Sequence, residues 1–196
     1  MSNLEKDSEL KEDSIFTKIE KLIANLEDPR SKHGIRFAFK DFMMAIILGV
    51  MCGHKGYREL GRFMENNKEF LQTHLNFKDE VPKYVIIRYL LMKITNSTSA
   101  FNNWISAQLK FDKDKKYWCS ADGKVLGSTL TDPNGTEQSL IQVVSIYCAE
   151  MKSIVAVKSA AQLKKYEGDL LLEMLSELKS TNLILTLDAL HCIKKT

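Results

Sequence analysis

The spacing of apolar residues changes near Phe111, and that change limits the folds open to this chain. Before Phe111 apolar residues recur at helical intervals. After it they fall into short runs bounded by turn signals, as strands do. Ile15, Phe16, Ile19, Leu22, Ile23 and Leu26 lie on one helical face between Ser14 and Leu26, with Asp13 or Ser14 placed to cap it. Asp28-Pro29-Arg30 stops that helix, and from Asp41 the run Phe42 to Met51 reads as a core helix ended by Gly53. Tyr57 to Phe63 and Asn66 to Leu75 suggest two further helices. Pro82 opens YVIIRYLLMKI, which suits a helix, although Tyr84 to Ile87 alone also suits a strand. Ser99 to Leu109 gives one more helix. DKDKK is a charged linker, and beyond it come three expected strands: Tyr117 to Ala121, Leu140 to Ala149 and Ser153 to Val157. Asp132-Pro133-Asn134-Gly135 marks a turn between the first two. A helix is expected over Glu167 to Lys179, then a buried parallel strand over Leu183 to Leu187. The expected class is therefore α+β: a polar tail (1–13), a helical region (14–112), and a strand-strand-strand-helix-strand region (113–196).

Composition excludes several alternatives. The 196 residues are 44% hydrophobic and 27% charged with 3 Pro and 9 Gly, which rules out collagen-like and wholly disordered chains. Cys52, Cys119, Cys148 and Cys192 form no CxxC pair, so neither a zinc knuckle nor a disulfide scaffold is expected. The first residues, MSNLEKDSELKEDS, hold no apolar signal core. The longest apolar run, Phe42 to Gly53, is too short for a bilayer, which needs about 20 residues. A cytoplasmic location with no membrane partner follows as the expectation. Net charge is uneven: residues 1–28 carry −4, residues 29–124 carry +8 and residues 125–196 carry −1. The basic middle fits either a surface for a polyanion such as nucleic acid or an ordinary solvated helical surface.

Two aspartates are expected where strands stop. Asp122 follows YWCSA and precedes Gly123-Lys124, and Asp188 follows NLILTL. If those strands are neighbours, both carboxylates emerge at one end of a sheet. Two hard oxygen ligands there suit Mg²⁺, which activates a nucleophile and stabilises a leaving oxygen in phosphodiester displacement. The same residues also suit a turn at Asp122 and a helix cap at Asp188. Lys124 and Lys158 are candidates to contact phosphate near such a site, although each also suits a solvated lysine on a strand edge, and His191, three residues after Asp188, is placed to line the same cleft. His33, His54 and His74 show no ligand-like spacing. No Walker loop or GxGxxG is present.

The blocks DPRSKHGIRFAFKDFMMAIILGVMCGHKGYRELGRF, VPKYVIIRYLL, ADGKVLGS and TLDALHCIKKT, in that order, resemble the H-repeat-associated insertion-sequence transposases, a branch of the DDE transposases. The resemblance runs from about Phe16 to the last residue. It implies a helical N-terminal region before an incomplete ribonuclease-H-like core, with Asp122 and Asp188 as the first two catalytic, metal-binding carboxylates. It also implies Mg²⁺-dependent strand cleavage and joining at transposon ends. Three positions depart from the family pattern. Leu126 runs directly into Gly127 where an arginine is usual, Ile193 replaces a glutamine, and the third acidic ligand falls beyond Thr196. The expectation is a C-terminally truncated fragment, chemically inactive by itself and binding Mg²⁺ weakly. Alternatives are a non-enzymatic DNA-binding remnant that inhibits a full-length relative, and a small helical module that binds protein. DNA at transposon ends, a second copy of the chain or a full-length relative are the expected partners, with a nucleoid location if DNA is bound.

Overall fold

The computed structural model describes residues 14–109, 111–112, 114–131, 139–161, 167–178 and 182–187. The chain forms two compact units, Met1–Ala100 and Phe101–Thr196. Among the described residues there are seven helices and a mixed four-stranded sheet, an α+β composition.

The first unit holds helices α1 (Ile15–Ile23), α2 (Phe39–Met51), α3 (Tyr57–Asn66), α4 (Lys68–His74) and α5 (Tyr84–Lys93), and the start of α6 (Ser97–Gln108). Local chemistry sets the ends. The Ser14 hydroxyl accepts from the Phe16 N–H at 3.3 Å and caps α1. Gly53, at φ +90°, ends α2 in a left-handed turn, as its position in sequence suggests. Glu59 reaches back to the N–H groups of Gly56 and Lys55 at 3.1 and 3.0 Å, starting α3. The helices enclose Phe42, Leu60, Met64, Leu71, Ile87 and Leu90, all essentially sealed from solvent. Each contributes about 1.5–3 kcal/mol by burial. Tyr84 to Ile87, open to either reading in sequence, is helical.

The second unit is a sheet of β1 (Tyr117–Thr131), β2 (Ser139–Cys148), β3 (Ser153–Ala161) and β4 (Leu183–Thr186), with α7 (Glu167–Glu177) on one face. The order is β3-β2-β1-β4. β1–β2 and β2–β3 are antiparallel and β4 runs parallel to β1. Alternation sends Cys119, Ala121, Val144, Ile146 and Cys148 toward Leu170, Leu171 and Met174 of α7. Among the described residues no helix of this unit covers the opposite face, which carries Trp118, 54% exposed, and Tyr147, 42% exposed.

Two sequence expectations need correction. β1 does not stop at Ala121, because residues 119–126 keep a continuous ladder with β2 from Cys119–Cys148 to Leu126–Ile141. Those backbone hydrogen bonds outcompete the local turn tendency of Asp122-Gly123. Leu183, Ile184 and Leu185 form a strand parallel to β1 but are half-buried rather than buried, and Leu187 is exposed. The expected turn at Asp132-Pro133-Asn134-Gly135 lies outside the described residues.

Candidate functional site

Asp122 sits midway along β1, held on a ladder partner rather than at a strand end. Its neighbours Ala121 and Val144 mark the core face, so Asp122 shares the opposite face with Ser120 and Lys124. Directly opposite stands Ser145 of β2, with Cβ atoms at the ~5 Å separation of cross-strand partners. On the other side Ser120 pairs with Thr186 of β4, whose hydroxyl donates to the Cys119 carbonyl at 3.2 Å. Asp122 is exposed, and among the described residues its carboxylate has no hydrogen-bond or ion-pair partner. It is a hard oxygen donor, unpartnered among the described residues, on a strand held in a ladder. That chemistry fits Mg²⁺, although among the described residues no three His, Cys, Asp or Glu side chains cluster to hold a metal.

The parallel ladder pairs each β1 residue with the one 66 positions later, from Tyr117–Leu183 through Ser120–Thr186. Asp188 stands 66 positions after Asp122 in sequence, and both Asp188 and His191 lie outside the described residues.

The two expected phosphate contacts separate. Lys124 is exposed on the face of Asp122. Lys158 is opposite Val144 and therefore on the covered face. There its ammonium reaches Glu177 at 2.6 Å and Glu173 at 3.1 Å, both on α7. The hydrogen bond to Glu177 raises its pKa further. The structure thus does not bring Lys158 together with Asp122; it anchors α7 to the sheet.

Other titratable groups serve the fold. Both carboxylate oxygens of Glu150 accept from the Trp118 N–H at 3.0 Å, and that bond lowers the Glu150 pKa. Burial pushes the Cys119 thiol up to about 12, with Cys148 beside it adding to the effect, so Cys119 is no nucleophile near neutral pH. His54 packs on the Phe63 ring and His74 on Phe70, at 5.2 and 4.4 Å between centroids. Sequence reasoning missed Asn102 of α6. Its amide donates to the Val157 carbonyl at 2.8 Å and accepts from the Val157 N–H at 2.9 Å, closing the edge of β3. A single asparagine within a helix carries no sequence signal for that role.

Residues 21–106 match the family model DDE_Tnp_1-associated. The match spans the helices α2 to α5 and supports a DDE-type transposase family, the group that the sequence blocks resemble. No curated protein and no solved structure matches the chain. The transposase-associated domain thus coincides largely with the first unit and reaches into α6, while the sheet that bears Asp122 lies after it. Among the described residues no helix is long and apolar enough to cross a membrane.

Proposed function

We propose that this chain takes part in DNA transposition as a DDE-type transposase component, its helical unit holding DNA and its sheet belonging to a ribonuclease-H-like core. The carrying observation is the sheet order β3-β2-β1-β4 with β4 parallel to β1 and an exposed carboxylate, Asp122, at mid-β1. Support also comes from the match of residues 21–106 to a transposase-associated family, and from the identical 66-residue offset of the ladder and of the pair Asp122 and Asp188. In this reading Asp122 and Asp188 hold Mg²⁺. When bound, that ion stabilises the leaving oxygen of a phosphodiester in an in-line displacement. Ser145 of β2 pairs with Asp122 on one side, and the described β1–β4 ladder ends two residues earlier at Ser120–Thr186, so the backbone that carries the carboxylate is already held in a strand. Lys124, on the same face, attracts a phosphate to that position.

The test is twofold. Isothermal titration of the purified chain with MnCl₂ should show one site that Asp122→Asn removes without lowering the metal-free Tm. A wild-type chain that releases no binding heat sinks the ligand assignment. Fluorescence anisotropy with a labelled duplex should show binding at low salt, and its absence sinks the DNA-handling role.

A further inference from the structure

The first unit contains a basic groove that neither the family match nor the Asp122 site accounts for. It has a volume of about 610 Å³ and is lined by Arg58, Arg62, Arg88, Tyr57, Tyr84 and Glu59, together with Gly56. Two helices build it. Arg58 and Arg62 are one turn apart on α3, ~6 Å along the axis, and Tyr84 and Arg88 are one turn apart on α5. The helices approach closely because residue 61 is glycine. A Cβ there would stand 3.1 Å from the Tyr84 nitrogen and 3.2 Å from the Tyr84 Cβ. That approach sets the Arg58 guanidinium over the Tyr84 ring, 5.6 Å from its centroid, which fixes one cation at the groove wall.

Charge decides what the groove suits. Of the chain's five arginines, Arg30 is bound to Asp28 at 2.8 Å and Arg36 lies 3.8 Å from Glu80. Arg58, Arg62 and Arg88 are exposed, and among the described residues none has a carboxylate within ion-pair distance. The groove's one acid, Glu59, is occupied by the N–H groups of Gly56 and Lys55, and those bonds lower its pKa. Glu59 also feels the charge of Arg62, but one acid against three guanidiniums leaves the groove net positive, which matches a polyanion that presents successive phosphates, since guanidinium forks bind phosphate oxygens bidentately. Tyr57 and Tyr84, 39% and 43% exposed, stand beside them, and tyrosine hydroxyls add contacts to phosphate and sugar that a free small anion would not need.

We propose that the Arg58, Arg62 and Arg88 groove is where this chain grips the phosphodiester backbone of DNA. The proposal rests on the DNA-handling role above and gives it a location. It is a contact without base readout, so it holds DNA of any sequence.

The experiment measures the Kd of the full 196-residue chain for a labelled 30-base-pair duplex across a NaCl series. Wild type is compared with a triple variant, Arg58→Gln with Arg62→Gln and Arg88→Gln. A charge-matched control carries Lys21→Gln, Lys78→Gln and Lys116→Gln, three lysines exposed elsewhere. Each phosphate contact adds ~0.9 to the slope of log K against log salt, so the groove variant should lose a slope of about 3 while the control loses less than 1. Equal losses in both variants, or none in the groove variant, overturn the proposal and leave the DNA-handling role standing. No binding by wild type overturns both. A second variant with lysine at all three positions keeps the charge and should keep the slope. A lysine variant that folds like wild type by circular dichroism and still loses the slope also overturns the proposal.

Discussion

Asn102 offers a sharp test of how the sheet unit is held together. Its amide makes two hydrogen bonds to one residue of β3, donating to the Val157 carbonyl at 2.8 Å and accepting from the Val157 N–H at 2.9 Å. β3 is the outer strand on that side of the described sheet, so these backbone groups have no strand beside them. Asn102 supplies what a further strand would. Each partly buried hydrogen bond contributes about 1 kcal/mol net, so Asn102→Ala should cost ~2 kcal/mol. Asn102→Asp keeps the acceptor for the Val157 N–H but sets a carboxylate oxygen against the Val157 carbonyl, and should cost at least as much. Urea unfolding gives the free energies, and hydrogen exchange read by mass spectrometry should show faster exchange confined to residues 153–161. The freed edge should also favour self-association, visible as light scattering at high protein concentration. Losses below ~0.5 kcal/mol in both variants, with exchange in β3 unchanged, refute this account of the edge.

Gly49→Ala sets helix propensity against packing: alanine gains up to ~1 kcal/mol, but its Cβ would meet Leu60 Cδ2 at 2.7 Å and Phe63 Cδ1 at 3.0 Å in a sealed core. A net loss of about 1 kcal/mol in chemical denaturation is expected, and a gain contradicts the packing. Lys158→Met should cost up to ~1 kcal/mol at pH 7, since the ammonium bridges Glu173 and Glu177. The folded-state pKa is raised above 10.5, so the stabilisation is present below that pH and is lost as pH climbs past it; a gap between variant and wild type that persists unchanged at high pH argues against the bridge. Iodoacetamide at pH 8 should label exposed Cys52 and spare Cys119, whose thiol is held up to about 12. Between pH 9 and 12 the unfolded thiol ionises and the folded one does not, so stability should fall as pH rises through that window, and labelling of both cysteines at one rate contradicts the burial.

The sequence was legible where one force dominated. Helices α1 to α5 follow the 3.6-residue spacing of residues such as Ile19, Ile23, Leu60 and Met64, and their ends follow Ser14, Gly53 and Pro82. It was misleading where a local signal met a long-range one. Asp122-Gly123 reads as a turn, but the opposing run from Ile141 to Cys148 draws these residues into a ladder, and no local pattern announces its register. Lys158 reads as a free cation because its partners Glu173 and Glu177 are 15 and 19 residues away on α7. The arginine groove needed the structure, since it depends on α3 and α5 meeting at Gly61. In sequence it shows only as two one-turn pairs, Arg58 with Arg62 and Tyr84 with Arg88.

These placements separate the two halves of the proposed activity. Among the described residues of the sheet, Lys124 is the cation that shares the face of Asp122, because Lys158 is on the other side and Leu126 precedes Gly127 where an arginine is usual in the resembling family. One exposed lysine contributes a slope of only ~0.9 to salt-dependent binding, against about 3 for the arginine groove. Affinity for DNA should therefore reside in the helical unit and metal affinity in the sheet. Asp122→Asn should then abolish the Mn²⁺ heat while changing the duplex Kd by less than about twofold in the absence of metal. A variant that loses both together would show that one surface serves both ligands, and the groove on α3 and α5 would no longer be the main DNA contact.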